Sequence, residues 1–174
     1  DLTAIIKKDW IVTFCKEILR RQLKIVWQLP VGTRVESVDG EVATLLHESG
    51  MINMAYAPES GSEITRKLIK KKMRTDSFFD SLRAAVEAKL NVMCYVVLGF
   101  PHDTREHIME NMKFVDQMVA EGMTDVSVGF FMALPGSEMF YSLYDAGKIR
   151  IDRAYFCHML HSLALWPAQS YTEN

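Results

Sequence analysis

Four short apolar runs along the chain predict β-strands. They cover residues 24–29, 51–57, 92–100 and 125–134. The runs are rich in β-branched and aromatic residues, and two of them are nearly continuous rather than alternating. That pattern is typical of strands buried on both faces, as in a parallel sheet.

Segments with helical periodicity lie between these runs. They predict helices over 9–22, 39–48, 78–89 and 104–121, and the region after 150 is also expected to be helical. In the 104–121 helix, an apolar stripe of Ile108, Met112, Val115 and Val119 is expected to face the sheet. N-caps are expected at Asp39, Ser60, Asp76 and Asp103, and helix ends next to Gly50 and Gly122.

The alternation of strands and helices predicts the α/β class. Successive parallel strands are joined by right-handed crossovers, so the pattern fits a partial (β/α) barrel and equally a doubly wound sheet. Residues 1–150 are expected to form this unit, and residues 151–174 a C-terminal helical segment and tail.

The composition narrows the classes of function. The 174 residues are 49% apolar and 24% charged, with a formal net charge of −2, which does not suggest nucleic acid as a partner. No apolar run is long enough to span a membrane. A small-molecule substrate and a cytoplasmic location are the expectations.

Three scattered cysteines, Cys15, Cys94 and Cys157, do not make a disulfide framework. None lies close enough in sequence to another to form a local metal or cluster motif. Cys94 falls in an apolar run and is expected to pack in the core. No metal site is predicted in this chain.

Candidate chemistry lies in the loops after the predicted strands, because ligands bind at the carboxyl ends of parallel strands. These loops are residues 30–34, 58–62, 99–104 and 134–138. Glu59 could stabilise a helix start or receive a cationic or hydroxyl group of a ligand. Arg34 could pair with a ligand carboxylate or be a solvated arginine. The run 70–72, three lysines, could be a solvated helix end or face an anionic ligand.

Three stretches resemble the radical S-adenosylmethionine superfamily. They are "APESGSEITRKLIKKKM", "AAVEAKLNVMCYVVLGFPHDTREHIMENMKF" and "VSVGFFMALPGSEMFYSLYDAGKI", and the resemblance covers about residues 1–150. It is strongest to the cobalamin-binding-domain branch, which includes proteins resembling the anaerobic magnesium-protoporphyrin IX monomethyl ester oxidative cyclase. The resemblance implies a partial (β/α) barrel and an oxidoreductase that cleaves S-adenosylmethionine with a 4Fe-4S cluster, with cobalamin a further candidate cofactor in a separate domain.

The resemblance also implies which residues approach S-adenosylmethionine. Asp1 and Thr3 would lie near its methionine end, with Arg34 on the next strand. Glu59 and Ser60 would approach its methionine moiety or ribose. Val97, Gly99 and Pro101 would flank the adenine, and Pro135 and Gly136 would shape the following loop.

One departure from the family is large. The CxxxCxxC motif that holds the cluster does not occur in this sequence. The chain is therefore expected to be the later part of a larger enzyme, with cluster ligands elsewhere, and to be inactive by itself. The parent could act on a tetrapyrrole or another organic substrate, as a cyclase or a methyltransferase. A smaller departure is His102-Asp103, where the family often has Gly-Glu.

Two other functions stay open from the residues alone. The chain could be a non-catalytic ligand-binding or interaction domain that has lost the cluster. It could also be an acid–base enzyme with Glu59 as base and His102 or Asp103 as the second group. Under the fragment hypothesis, an unpaired sheet edge would favour self-association.

Overall fold

A parallel four-stranded sheet with helices packed on it forms the centre of the chain. The computed structural model describes residues 7–164, except for the side chains of 158 and 160–164. Asp1 and Thr3 therefore lie outside the described residues. The strands are β1 (Trp27–Thr33), β2 (Met51–Glu59), β3 (Asn91–Leu98) and β4 (Asp125–Phe130). They are adjacent in the order β1-β2-β3-β4, and every neighbouring pair is parallel, which confirms the α/β class.

The first strand begins and ends later than the sequence predicts. Pairing starts at Trp27, whose N–H donates to the carbonyl of Gly50, and continues to Thr33, so most of the predicted loop 30–34 is strand. Pro30 is tolerated because β1 is an edge strand of the described sheet. Val26, the residue before the strand, is 74% exposed. Its apolar side chain therefore does not mark a buried strand position.

The predicted ends of β3 and β4 are also wrong. The strands β3 and β4 stop at Leu98 and Phe130, although the apolar runs continue to 100 and 134. Gly99 follows β3 with a φ of +79°, which turns the chain out of the extended conformation. The apolar runs continue beyond both strands because Phe100 and Phe131 line a cavity.

The described residues form seven α-helices: α1 (Lys8–Arg20), α2 (Gly40–Glu48), α3 (Glu63–Leu68), α4 (Thr75–Glu87), α5 (Arg105–Ala120), α6 (Glu138–Asp145) and α7 (Arg153–Ala164). The short α6, of eight residues, was not predicted from the sequence. No helix in the described part of the chain is long and apolar enough to cross a membrane.

Helix capping confirms Asp39 and corrects two other assignments. The Asp39 side chain accepts the N–H of Val42 and caps α2 as expected. The cap of α3 is Ser62, not Ser60. Asp76 is not a cap either, since α4 begins at Thr75 and Asp76 lies within its first turn.

The cap of α5 is also one residue later than predicted. Thr104 accepts the N–H of His107, and the His107 ring accepts the N–H of Thr104, which together form a capping box. Asp103, the predicted cap, is then free to bond elsewhere.

The main core lies between the sheet and helices α1, α2, α4 and α5. Phe78 is fully buried at its centre, with ring centroids 5.7 Å from Tyr56, 5.3 Å from Phe79 and 5.2 Å from Phe114. Aromatic pairs at these distances add to the stabilisation that burial provides.

The helix α5 presents a different face to the core than its apolar stripe predicts. The buried side chains are His107, Asn111, Phe114 and Met118. Of the predicted stripe, Met112 is 50% and Val119 57% exposed. Hydrogen bonds to Asn111 and the packing of Phe114 on Phe78 set this rotation, so two polar residues take buried positions.

The helix α7 lies within the segment 151–174, for which the sequence predicts a helical part. Tyr155 in α7 is buried in a second apolar cluster with Phe131, Phe140 and Ile149, and its hydroxyl donates to the carbonyl of Ala133. The division of the chain at residue 150 stays a prediction.

Replacing Phe78 tests the role of the aromatic cluster. We expect Phe78→Ala to lower the free energy of unfolding by about 4 kcal/mol, since it leaves a cavity among three rings. Urea denaturation measures the loss, and Phe78→Leu should fall between the variant and the parent. Met112→Ala, at a half-exposed position, is the matched control; equal losses for Phe78→Ala and Met112→Ala would contradict the packing described.

Candidate functional site

The carboxyl ends of β2, β3 and β4 surround one cavity. Its volume is about 430 Å³. Its lining comes from these three strand ends and from the segment after α3. The lining residues are Glu59, Ile69, Lys71, Val97, Phe100, Phe130, Phe131, Met132 and Leu134. We call this the central cavity.

Glu59 ends β2 in a conformation that is uncommon for a residue with a side chain. Its φ is +64°, in the left-handed region. Such a conformation costs about 1 kcal/mol or more, and it persists only where the surrounding structure holds it. Within β2 the regular pairing with β3 is interrupted between Tyr56 and Glu59. The break turns the Glu59 carboxylate into the central cavity.

Lys71 supplies the positive charge of this cavity. Its Nζ lies 3.1 Å from Oε1 of Glu59, and both side chains are about a third exposed. The end of α3 positions it: Lys70 takes a φ of +59°, and the N–H of Lys71 donates to the carbonyl of Arg66 at 2.8 Å. A partly exposed pair of this kind contributes at most about 1 kcal/mol, so a ligand can replace either partner.

Ser60 is fully buried behind Glu59, within a polar network. Its hydroxyl donates to Oδ1 of Asn111 at 3.1 Å, and the same oxygen accepts the N–H of Gly61 at 2.6 Å. The N–H of Ser62 donates to Oγ of Ser60. Gly61 has no room for a side chain, because a Cβ there would lie 2.4 Å from Cβ of Phe114. The network therefore holds the loop after β2 against α5.

Arg66 anchors the same loop from the other side. It is 3% exposed, and its guanidinium donates to the carbonyl of Ser60 and to Oγ1 of Thr75, each at 2.7 Å. It also lies 5.9 Å from the ring centroid of Phe114. Burial lowers the pKa of the guanidinium from its usual value, but arginine stays charged in proteins.

Asp103 organises the loop after β3. Its Oδ2 accepts the N–H groups of Gly99 at 3.1 Å and Phe100 at 3.0 Å, and its Oδ1 accepts the hydroxyl of Thr65 at 2.7 Å. The side chain is only 3% exposed. Asp103 thus joins the loop after β3 to α3. Its carboxylate stabilises the wall of the site and does not point into the central cavity.

The remaining walls of the central cavity are apolar. Val97 lines it from β3, and the rings of Phe100 and Phe131 lie 5.2 Å apart between centroids. His102 stacks on Phe100 at 5.7 Å, and burial lowers the pKa of its ring. Flat apolar walls beside one carboxylate and one ammonium suit a ligand with an aromatic ring and a zwitterionic end.

The other predicted site residues lie at different distances from this cavity. Gly99 and Pro101 belong to the loop after β3, next to Phe100. Pro135 and Gly136 form an exposed turn before α6, where Gly136 has a φ of +94°. Arg34 lines a second cavity, between β1 and β2. The structure brings Glu59 and Val97 together and places Arg34 apart from them.

The described residues do not fit an iron–sulfur cluster. Cys15 in α1 and Cys94 in β3 are buried, and Cys157 in α7 is exposed. Burial raises the pKa of the Cys94 thiol to about 12, which disfavours the thiolate that ligates iron. Among the side chains that the structure describes, no three of the types His, Cys, Asp or Glu are grouped to hold a metal ion.

The family model named "Radical SAM superfamily" matches residues 9–115, more than half of the chain. The chain belongs to the radical SAM superfamily. The resemblance to the superfamily drawn from the sequence motifs is therefore confirmed, and the sequence of this radical SAM chain has no CxxxCxxC motif.

Two curated relatives are enzymes. Cytidylyl-2-hydroxyethylphosphonate methyltransferase of Streptomyces wedmorensis is 28% identical over 132 residues, which cover 71% of this chain and 24% of that protein. Anaerobic magnesium-protoporphyrin IX monomethyl ester cyclase of Rubrivivax gelatinosus is 20% identical over 152 residues, 86% of this chain and 26% of that protein. The chain thus spans about a quarter of the length of these relatives.

A solved structure shows the same fold. The radical S-adenosylmethionine methyltransferase TsrM from Kitasatospora setae, with cobalamin and a [4Fe-4S] cluster bound, superposes with a TM-score of 0.63 at 18% identity. The match covers 83% of this chain and 29% of that structure. The likeness supports a partial barrel of the radical SAM type.

Several residues of the site were missed by sequence reasoning. Phe100 and Phe131 read as strand residues, and Asn111 fell outside the apolar stripe of α5. Lys71 was not singled out, although the run 70–72 to which it belongs was considered as a contact for an anionic ligand. A buried Arg66 carried no signal, because arginine in an exposed-looking helical segment is ordinarily solvated.

Replacing Asp103 tests the loop after β3. We expect Asp103→Ala to lower the free energy of unfolding by about 3 kcal/mol, because two N–H groups and one hydroxyl lose their acceptor. Urea denaturation measures this loss. Asp116→Ala, at an exposed position of α5, is the control and should change stability by about 0.5 kcal/mol or less. A result in which Asp103→Ala behaves like Asp116→Ala would rule out the organising role.

Proposed function

We propose that the central cavity is the S-adenosylmethionine site of a radical SAM enzyme. The observation that carries the proposal is the combination of one carboxylate, one ammonium and apolar aromatic walls at the ends of β2, β3 and β4. Adenine suits the apolar side near Val97, Gly99 and Pro101. The methionine end suits Glu59 and Lys71, which can exchange their mutual contact for the ammonium and carboxylate of the cofactor.

Other residues support this site without lining it. Ser60 holds the loop after β2 in place through its bond to Asn111, and Pro135 and Gly136 shape the turn beyond β4. Asp1 and Thr3, which lie outside the described residues, remain proposed cofactor contacts from the family resemblance alone. The same resemblance proposes Arg34 as a cofactor contact, but its place in a different cavity favours a contact with the substrate instead. When bound, S-adenosylmethionine supplies the radical chemistry of this family, in concert with a 4Fe-4S cluster.

The ligands of the cluster are proposed to come from outside these 174 residues, because the sequence contains no CxxxCxxC motif. The chain alone is therefore proposed to be inactive. Cobalamin is a further proposed cofactor, which the solved methyltransferase with cobalamin bound supports. For the reaction we propose methyl transfer or cyclisation on a tetrapyrrole or another organic molecule, in the cytoplasm, and the two curated relatives support this class.

The acid–base alternative loses support from the geometry. Asp103 uses its carboxylate oxygens within its own wall, and His102 does not line the central cavity. Neither of the two residues considered as the second catalytic group therefore accompanies Glu59 in the central cavity. A non-catalytic binding domain stays open, and it predicts the same cavity without radical chemistry in the parent protein.

Binding of S-adenosylmethionine to the chain tests the proposal. We expect a titration followed by amide chemical shifts to perturb Ser60, Val97, Gly99 and Phe100. Glu59→Gln should weaken binding by about tenfold, since one charge-assisted hydrogen bond is lost. Glu48→Gln, at an exposed position of α2, should bind like the parent.

Two results would count against the proposal. One is the absence of amide shifts at these positions at millimolar cofactor; the other is equal affinity in the Glu59 and Glu48 variants. In the same preparation, anaerobic treatment with iron and sulfide should leave no cluster absorbance. Formation of a cluster would contradict the assignment of its ligands to residues outside the chain.

Self-association is a second proposal, which concerns the edge of the sheet. Ile25 and Val26, just before β1, are 41% and 74% exposed, and Val31 within it is 57% exposed. Exposed apolar strand edges pair with other chains. We expect sedimentation to show a mass that rises with protein concentration, and Val31→Lys to reduce the rise. A concentration-independent monomer would refute the proposal.

A further inference from the structure

The second cavity lies between the ends of β1 and β2, and its lining is rich in basic side chains. Its volume is about 400 Å³. Residues 32–36, Ala57 and Pro58 form one side, and the segment 70–73 forms the other. Lys71 lines both this second cavity and the central cavity, so the two are neighbours.

Positive charge dominates the lining. Arg34 and three lysines line the second cavity, and Glu36 is the only carboxylate that does. Lys71 pairs with Glu59, and Lys70 contacts Glu138. Arg34 and Lys72 are exposed, and neither makes an ion pair with another described residue. Two cations are thus available to a ligand without breaking any contact.

A buried hydroxyl in the same lining has no partner. Thr33 is 9% exposed, and its Oγ1 has no hydrogen-bond partner among the described residues. Leaving a buried hydroxyl unpaired costs about 1–3 kcal/mol, so its presence beside the cations is a second indication of a ligand. Gly32 lets β1 lie close to β2 beside this cavity, because a Cβ there would lie 2.6 Å from Cβ of Ala57.

We propose that the second cavity binds a phosphate or phosphonate group of the substrate. Such a group carries up to two negative charges and at least three acceptor oxygens, which match the Arg34 fork, the Lys72 ammonium and the Thr33 hydroxyl. A carboxylate has fewer oxygens and a single charge, and would leave part of this set unused. The proposal rests on the proposed function, since it makes the group an anchor for a substrate that reacts next to the central cavity.

Inorganic phosphate is the probe. It is titrated into the chain at constant ionic strength, with amide chemical shifts as the measurement, and acetate is titrated in parallel. We expect shifts at Thr33, Arg34 and Lys72, and weaker or no shifts with acetate. Arg34→Gln and Lys72→Gln should each weaken phosphate binding by about tenfold, since each removes a charge-assisted contact.

Matched controls separate the site from general surface charge. Arg105→Gln and Lys113→Gln, at exposed positions of α5, should bind phosphate like the parent. Thr33→Val keeps the shape and removes the hydroxyl. It should weaken phosphate binding while leaving the free energy of unfolding unchanged or higher, a combination that a purely structural role for Thr33 would not produce.

The proposal and the cofactor site fail independently. Phosphate binding should survive Glu59→Gln, and S-adenosylmethionine binding should survive Lys72→Gln. Absence of shifts at the three positions, equal affinity for acetate, or equal affinity in the Arg34 and Arg105 variants would overturn the proposal. Loss of S-adenosylmethionine affinity in Arg34→Gln would overturn it too, because it would return Arg34 to the cofactor.

Discussion

The hydrogen bonds that Asn111 accepts from the loop after β2 are the constraint on which the site depends. One amide oxygen, on a helix buried against the sheet, receives the Ser60 hydroxyl and the Gly61 N–H. A buried acceptor without these donors would cost free energy, so the two hydrogen bonds favour the observed arrangement of α5 and the loop. That arrangement holds Glu59 in its left-handed conformation and turns its carboxylate into the central cavity.

The same principle organises the loop after β3. Asp103 replaces solvent as acceptor for two loop amides and joins them to the Thr65 hydroxyl. Two rigid walls result, and the groups exposed between them are few: the Glu59–Lys71 pair and apolar rings. Such walls suit a binding site, because the ligand meets a preformed surface. It also displaces only one ion pair, whose loss costs little free energy.

Lys71 stands between two cavities of different chemistry. Towards β3 and β4 the walls are aromatic, and towards β1 they are cationic. Lys70, just after α3, has a positive φ. Lys70 and Lys72 line the second cavity, and Lys71 lines both cavities. A cofactor and a charged substrate could therefore approach one another across a single side chain.

The sequence by itself determined the α/β class, the number and order of the strands described, and the family. Apolar runs and helical periodicity report burial, and the family motifs are local in sequence, so both could be read directly. It could not determine the end of β1, the buried face of α5 or the true caps Ser62 and Thr104. The end of β1 depends on its pairing with β2, and the buried face of α5 depends on a contact between residues 51 positions apart, Ser60 with Asn111. Only the tertiary structure decided them, because a polar side chain is buried where a distant partner satisfies it, and no local pattern encodes that partner.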